Sequence, residues 1–187
     1  MSLIELAKQF KTDKQYPTHS YIEKYYSKTF ESFRDRKNLT IVEIGVHEGE
    51  SLELWNKYFD VANIIGIDRS PVNYKPSSKN ITVIQGKSSR VDTFKTIKNV
   101  DIVIDDGSHK VIDQITTYNI LYPRLNPNGV YIIEDIRNID QSKNSFLSLN
   151  KNTIIFDYRK NLNQSDDVIV EIRKWYPCVV LLEADPN

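Results

Sequence analysis

The stretch at residues 100–110, VDIVIDDGSHK, ends an apolar run in two adjacent carboxylates, Asp105 and Asp106, followed by glycine, serine and His109. Crowding two acids at the end of a buried strand costs free energy unless a positive charge or a hydrogen-bond donor meets them. A divalent cation would offset that cost, and a histidine nearby can move a proton near neutral pH. The stretch therefore predicts one side of a reaction centre.

Acids stand at the ends of other apolar runs as well. Glu43 lies in LTIVEI, Asp68 ends NIIGID, and Glu134 and Asp135 end VYIIED. Because ligands of open α/β sheets bind outside the carboxyl ends of the strands, these acids are predicted to converge on one cleft. Asp106, together with the last two acids, offers an all-oxygen site that suits magnesium, calcium or manganese better than zinc.

The loop after the first of these runs argues against a dinucleotide cofactor. A pyrophosphate-binding loop has the pattern G-x-G-x-x-G, whereas GVHEGES has Gly45 and Gly49 four residues apart and carries Glu48 and Glu50. These acids would repel a pyrophosphate and attract a sulfonium or ammonium group. None of the eleven tyrosines is followed four residues later by lysine, a pair that short-chain dehydrogenases need. Nicotinamide chemistry is therefore disfavoured.

Seven apolar runs predict the strands that position these residues, at 39–44, 63–68, 81–85, 100–105, 130–134, 153–160 and 168–175. Apolar residues at helical spacing predict a helix after the first run, another through Val91, Phe94 and Ile97, and a third over 111–125. The Asn-, Ser- and Lys-rich stretch that follows Asp135 is predicted to be irregular.

This order of elements predicts one doubly wound, Rossmann-like α/β domain over residues 1–187. Its seven-stranded sheet is expected to be mostly parallel, with helices on both faces and an antiparallel hairpin at one edge. Residues 1–37 are predicted to form a helical cap over the active end, and residues 38–187 the core.

Four motifs, EIGVHEGESLELW, IIGIDRS, VDIVIDDGSH and LNPNGVYIIED, are similar to those of class I S-adenosylmethionine-dependent methyltransferases. More narrowly, they resemble the metal-dependent sugar O-methyltransferases of macrolide and related glycoside biosynthesis. The segment KTDKQYPTHSYIEKYY is similar to the one that precedes the core in that group, where His19, Tyr21 and Tyr25 would either form a lid or simply pack. The resemblance covers about residues 11–135, and DDGSH with a downstream Glu-Asp is its most specific part.

The resemblance implies S-adenosylmethionine and Mg2+, or another hard divalent cation, as cofactors. It implies eight cofactor-binding residues, which are Glu43, Gly45, Gly49, Ser51, Asp68, Arg69, Ser88 and Asp105. Of these, Asp68 would hold the ribose and Ser51 would meet the methionine carboxylate. Lys87 stands where the family usually has an acid, so Ser88 or the backbone would make the adenine contact.

The resemblance also implies that Asp106, Glu134 and Asp135 hold the cation and that His109 is the general base. By itself, His109 is better explained as a capping or solvated residue at a helix N-terminus. Its position beside two acids favours the base. Asp105 is interpreted as a cofactor-side or structural acid.

Composition limits the choice of partners. Twenty-five basic residues balance twenty-five acidic ones, so no net field recruits nucleic acid or a membrane surface. No apolar run reaches the roughly 20 residues that span a bilayer, and the N-terminus lacks the pattern of a signal peptide. The single cysteine, Cys178, fits a reducing compartment. We expect a cytoplasmic protein with a small-molecule sugar or glycoside substrate, and a homo-oligomer stays open.

The sequence thus predicts a metal-dependent O-methyltransferase that acts on a sugar hydroxyl of a glycoside, nucleotide sugar or polysaccharide precursor. One alternative is methylation of a catechol-like or other small natural product, because its vicinal hydroxyls would satisfy the same metal. Another is a non-catalytic adapter that binds the cofactor, which the change at Lys87 keeps open.

Overall fold

The computed structural model describes residues 1–70, 74–159 and 167–174. Within them the strands are β1 Leu39–Ile44, β2 Ala62–Asp68, β3 Ile81–Gln85, β4 Val100–Asp105, β5 Leu125–Ile133, β6 Thr153–Asp157 and β7 Val168–Arg173. The α-helices are α1 Leu3–Ala7, α2 Ser27–Glu31, α3 Glu50–Tyr58, α4 Val111–Leu121 and α5 Ile139–Leu147. Ile22–Tyr26 forms a π-helical turn, and Val91–Phe94 and Tyr122–Arg124 form 3-10 turns.

The strands form one sheet in the order β3-β2-β1-β4-β5-β7-β6. Strands β1 to β5 pair in parallel, and β7 pairs antiparallel with both β5 and β6. The central strands β1 and β4 are buried along almost their whole length, as expected for a parallel sheet with both faces covered. The predicted α/β fold is confirmed, including the antiparallel hairpin at one edge. The loop of that hairpin falls mostly at 160–166, outside the described residues.

Two apolar cores lie on opposite faces of the sheet. On one face the N-terminal segment packs with α3, and the ring of Phe30 lies 4.7 Å from Tyr26 and 5.0 Å from Trp55 between centroids. On the other face α4 and α5 contribute Tyr118 and Phe146. The N-terminal segment is helical in part, as predicted, and lies on a face of the sheet as well as at its carboxyl edge.

Two local predictions are wrong. The helix predicted through Val91, Phe94 and Ile97 is a single 3-10 turn. The Arg124 guanidinium donates to the carbonyls of Phe94 and Ile97. These two residues are buried without a helix, while Val91 is exposed.

The stretch predicted to be irregular contains α5. The buried residues of this short helix are Ile139, Ser142 and Phe146, and only two of these are apolar, so its polar composition hid the helical period. The helix predicted over 111–125 ends at Leu121 and continues only as a 3-10 turn.

No helix among the described residues is long and apolar enough to pass through a membrane. Cys178, used above as an indicator of compartment, lies outside the described residues.

Candidate active site

The carboxyl ends of β2, β1, β4 and β5 lie side by side at one edge of the sheet. The N–H of Gly45 donates to the carbonyl of Ile67, and the N–H of Asp106 donates to that of Ile44, so the pairing continues past the strand ends. The chain order reverses between β1 and β4, and this edge therefore contains the topological switch point at which open sheets bind ligands.

Gly45 allows the loops after β1 and β4 to touch. Its φ is +92°, and a Cβ at this position would lie 2.1 Å from the carbonyl oxygen of Asp106. A side chain would therefore force the two loops apart. Gly49, in contrast, packs against the ring of Tyr74 and lines neither of the cavities described below.

The first cavity, of about 590 Å³, lies over the ends of β1, β2 and β3. Three of the predicted cofactor residues besides Gly45 line it, namely Asp68, Arg69 and Ser88. Lys87 lines it too, and so does Asp113 from the first turn of α4, which the sequence did not single out. Asp113 accepts a hydrogen bond from the Ser108 hydroxyl at 2.7 Å, and its second oxygen has no partner among the described residues.

The second cavity, of about 540 Å³, adjoins the first and shares Gly45, Asp68, Arg69 and Gly107 with it. Its other lining residues include Ser51, Asp106, His109 and Asp135, which the sequence predicted to act on the cofactor, the cation or the proton. Among the residues that the structure describes, five with carboxylate side chains line this cavity, which are Asp13, Glu50, Asp68, Asp106 and Asp135. Such a lining favours a cationic ligand.

Asp68 is held in an ionised state by the backbone. Its Oδ2 accepts from the N–H of Val46 at 2.9 Å, and its Oδ1 accepts from the N–H of Ser70 at 2.8 Å. Partial burial acts to raise the pKa of Asp68, but these hydrogen bonds outweigh it and the pKa is lowered. A carboxylate has lone pairs left for further donors, so Asp68 can still accept hydroxyl groups from the cavity.

Glu43 and Asp105 lie beneath the cavities and line neither of them. The oxygens of Glu43 accept from Ser51 Oγ at 2.8 Å and from Trp55 Nε1 at 2.7 Å. Asp105 is 1% exposed, and burial raises its pKa to about 7. Within this structure the two acids support the loops rather than face a ligand, and their contact with a cofactor stays a prediction.

Three of the predicted site residues come together in the second cavity. They are Asp106, His109 and Asp135. One ligand atom from each lies within 4.8 Å of the others, and His109 Nδ1 is buried without a hydrogen-bond partner among the described residues. Burial, followed by the charge of Asp106, raises the pKa of Asp135. A hard divalent cation would relieve this crowding and would engage two carboxylates, so the donor set fits such an ion.

Lys14 forms salt bridges with acids at the strand ends for which the sequence showed no protein partner. Its Nζ lies 2.5 Å from Asp106 Oδ2, 2.8 Å from Glu134 Oε2 and 3.5 Å from Glu43 Oε1. Tyr26 donates its hydroxyl to the other oxygen of Glu134. Glu134 is thus adjacent to the Asp106–Asp135 group, but both of its oxygens are engaged by protein donors. Its predicted place among the metal ligands stays a prediction.

The N-terminal segment supplies donors to the same edge. Tyr21 donates its hydroxyl to Asp135 Oδ1 at 2.7 Å, and Tyr25 donates to Glu171 at 2.5 Å. His19 lies 2.7 Å from Asp167 and stacks on Tyr21. The sequence suggested a lid or simple packing for these residues, and the structure shows polar contacts to Asp135 after β5, to Asp167 before β7 and to Glu171 within β7. No spacing rule could have found them, because their partners lie more than a hundred residues away.

Backbone strain is concentrated at this edge. His47, His109 and Asp135 have left-handed φ angles of 48°, 53° and 52°. The other non-glycine residues with positive φ among those described are all asparagines, which tolerate this region. Strain of this kind costs about 1–3 kcal/mol per residue and often marks a functional site.

Two relatives of this chain are named as O-methyltransferases. The chain is 37% identical over 129 residues to an 8-demethyl-8-alpha-L-rhamnosyl tetracenomycin-C 2'-O-methyltransferase of Streptomyces olivaceus, covering 64% of this chain and 34% of the relative. It is 31% identical over 145 residues to the mycinamicin VI 2''-O-methyltransferase of Micromonospora griseorubida, covering 72% and 36%. The chain therefore spans about a third of the length of these relatives. No family model matches the sequence.

A solved structure shares the fold. The methyltransferase MycE of the mycinamycin biosynthetic pathway, in complex with Mg and SAH, superposes with a TM-score of 0.74 at 22% sequence identity. The match covers 100% of this chain and 57% of MycE. The class I methyltransferase fold is thus confirmed, and so is the resemblance in sequence to sugar O-methyltransferases.

Proposed function

We propose that this chain carries the catalytic site of an S-adenosylmethionine-dependent, divalent-metal-dependent O-methyltransferase that acts on a sugar hydroxyl. The observation that carries the proposal is the pair of adjoining cavities. The first cavity is lined by Asp68, an acid placed to bind ribose hydroxyls. The second cavity has two clustered carboxylates beside a histidine. A methyl donor that spans both cavities would place its methyl carbon next to the clustered acids of the second cavity.

Asp68 would accept hydrogen bonds from the ribose hydroxyls, and the adenine would lie toward Ser88 and Asp113 in the first cavity. The sulfonium would then face the acid-lined second cavity, where negative charge stabilises it. The neighbouring Ser51 lies in the first turn of α3, where the N–H groups of the helix suit a carboxylate, while its hydroxyl donates to Glu43.

Asp106 and Asp135 would hold the divalent cation. When bound, such an ion orients two vicinal hydroxyls and lowers the pKa of one of them. His109 stands beside both acids and would take the proton of that hydroxyl as its oxygen forms a bond to the methyl carbon and the carbon–sulfur bond breaks. The transfer itself depends mainly on alignment, which the closely packed loops after β1 and β4 provide.

The acceptor class follows from the relatives, whose names specify methylation of a rhamnosyl group in one case and of mycinamicin VI in the other. A glycoside with vicinal hydroxyls fits both these names and the acid pair. The balance of 25 basic and 25 acidic residues supports a small-molecule acceptor rather than a nucleic acid. A cytoplasmic location completes the proposal.

The test is transfer of a labelled methyl group from S-adenosylmethionine to a panel of rhamnosyl glycosides, nucleotide sugars and catechols. We expect transfer to a glycoside with vicinal hydroxyls, loss of transfer in EDTA, and recovery with Mg2+. Calorimetry with S-adenosylhomocysteine gives an independent measure of the cofactor site. Absence of binding would reject the cofactor, and transfer that persists unchanged in EDTA would reject the metal.

Preference for a catechol would move the acceptor class to small aromatic natural products. Binding of S-adenosylhomocysteine with no transfer to any acceptor in the panel would favour the adapter role instead.

A further inference from the structure

A third cavity, of about 450 Å³, lies between the N-terminal segment and the β6–β7 hairpin. This volume is within the range of roughly 300–1,000 Å³ that is typical of small-molecule sites. Within the described part of the chain, the third cavity shares no lining residue with the two cavities of the candidate active site. Its described lining has three basic side chains, Lys24, Lys28 and Arg173, and one acidic side chain, Glu171. Three positive charges against one negative charge favour an anionic ligand.

The acid of the third cavity is already engaged by the protein. Glu171 is 4% exposed, and it accepts from the Tyr25 hydroxyl at 2.5 Å and from Arg173 Nε at 2.7 Å. Its charge is therefore offset by the guanidinium that it holds in place. Lys24 and Lys28 are exposed, and neither forms a salt bridge with any residue that the structure describes. These two lysines can therefore pair with an anion that enters the cavity.

Two aromatic rings line the same cavity. The rings of Phe156 and Tyr158 have centroids 6.2 Å apart and planes inclined by 22°, and both side chains are partly exposed. Lys24 Nζ lies 5.4 Å from the centroid of the Tyr158 ring. Aromatic rings stack on nucleobases, and ammonium groups pair with phosphates. A nucleotide would offer both of these groups to the cavity.

Tyr158 connects the third cavity to the candidate active site. Strands β5 and β6 both pair antiparallel with β7, so they run in the same direction and end at the same edge of the sheet. Tyr158 follows β6, and its ring centroid lies 6.5 Å from that of Tyr21, whose hydroxyl donates to Asp135. Asp135 lines the second cavity. A ligand that extends from the third cavity past Tyr158 would therefore reach the acids beside which methyl transfer is proposed.

We propose that the third cavity binds the nucleoside diphosphate part of an acceptor nucleotide sugar. The diphosphate pairs with Lys24 and Lys28. The base stacks on Phe156 and Tyr158, and the sugar extends toward Asp135. This inference rests on the proposed function and narrows its acceptor to a sugar that carries a diphosphate. A neutral glycoside would gain nothing from the two ammonium groups.

The first experiment tests the two lysines with UDP and dTDP as probes, by calorimetry on the full chain in the presence of S-adenosylhomocysteine. Lys24→Gln combined with Lys28→Gln should raise the Kd for both probes at least about tenfold, because two charge-assisted contacts to phosphate are lost. The control combines Lys95→Gln with Lys98→Gln, at two exposed lysines outside the three cavities, and should change these Kd values by less than about twofold. Equal Kd values in the two double variants, or no binding of either probe by the wild type, would overturn the proposal.

The second experiment tests the stacking of the base. Tyr158→Leu keeps an apolar side chain and removes the ring, and Tyr16→Leu, at a tyrosine that is 69% exposed, is the control. We expect Tyr158→Leu to raise the Kd for UDP about tenfold and to change the Kd for inorganic pyrophosphate by less than about threefold. Equal changes for UDP and pyrophosphate would overturn the placement of the base.

The third experiment separates this proposal from the proposed function. It compares methyl transfer to dTDP-rhamnose with transfer to methyl rhamnoside, which has the same sugar without the charge. We expect kcat/KM to be at least about tenfold higher for dTDP-rhamnose, and this advantage to disappear when Lys24→Gln and Lys28→Gln are combined. Equal kcat/KM for the two acceptors in the wild type would overturn the proposal and leave the proposed function intact. Failure of the proposed function would instead abolish transfer to both acceptors, and the acceptor role of the third cavity would fall with it.

Discussion

Replacing Asp105 by asparagine should stabilise this protein at alkaline pH and have little effect at acid pH. Asp105 is 1% exposed at the end of β4, and the nearest side-chain donor, the Tyr131 hydroxyl, is 3.4 Å from its Oδ2. Burial, which outweighs a backbone hydrogen bond from Gly107, raises its pKa from 3.8 to about 7. Asparagine has a similar shape and can still accept from the Gly107 N–H, but it carries no charge to bury.

The sign of the change in stability with pH follows from where the folded and the unfolded chain bind a proton. Below about pH 4 the carboxyl is protonated in both the folded and the unfolded chain, and Asp105 has no pH-dependent effect. Between about pH 4 and pH 7 the unfolded chain loses the proton while the folded one keeps it, so stability falls as the pH rises. At roughly 1.4 kcal/mol per pKa unit, the loss reaches about 4 kcal/mol above pH 7. The asparagine variant should escape this loss.

The assay is urea unfolding in EDTA, followed by tryptophan fluorescence between pH 4.5 and pH 8.5, with the exposed Asp92→Asn as the control. The difference in unfolding free energy between Asp105→Asn and the wild type should grow with pH and level off near pH 8. A difference that is constant with pH, or a variant that is less stable at every pH, would refute the assignment of Asp105 as a buried acid with a raised pKa.

Three further predictions concern the cavities. Asp68→Asn should raise the Kd for S-adenosylhomocysteine by about tenfold in calorimetry, since it weakens charge-assisted hydrogen bonds to the ribose. His109→Ala should lower kcat for methyl transfer by about 100-fold or more while leaving the Kd for S-adenosylhomocysteine within about twofold, because a general base acts on the acceptor proton. Asp113→Ala should raise the same Kd by about tenfold, since its free oxygen lines the cavity where the adenine amino group would lie.

Each of these three predictions has a contrary outcome, and the first two also have a control variant. The exposed Asp60→Asn is the control for Asp68, and equal affinities in the two variants would remove Asp68 from the cofactor site. The exposed Asp92→Ala, which lines neither cavity, is the control for His109, and an unchanged kcat in His109→Ala would reject the base. An unchanged Kd in Asp113→Ala would leave the adenine contact to Ser88 and the backbone.

Much of the fold was accessible from the sequence because strand and helix periods are local. The runs that became β1 and β4 are mostly apolar, and helix α3 has a clear amphipathic pattern. The errors came where a local period was weak or was replaced by a distant contact. Helix α5 buries few apolar residues, and the turn at Phe94 is completed by the side chain of Arg124 from thirty residues away.

The predicted cofactor residues also divide into those that the local sequence placed correctly and those that only the tertiary structure could place. Those that follow a strand directly, such as Asp68 and Arg69, line a cavity, since a strand end determines which edge of the sheet its loop reaches. For Glu43 and Asp105 the sequence could place the residue at the right end of the strand but not decide whether its side chain faces the cavity or the interior. Burial decided this, and both are covered.

The sequence by itself determined which chemical groups gather at the carboxyl edge, since parallel strands deliver their terminal acids to one place. It also posed an electrostatic question in the pair Asp105 and Asp106 without answering it. Only the tertiary structure supplied the answers, which differ for the two acids. Asp106 is met by Lys14 from 92 residues away, and Asp105 is buried with a raised pKa. Charge pairing across such distances depends on how the N-terminal segment packs, and no local pattern encodes that packing.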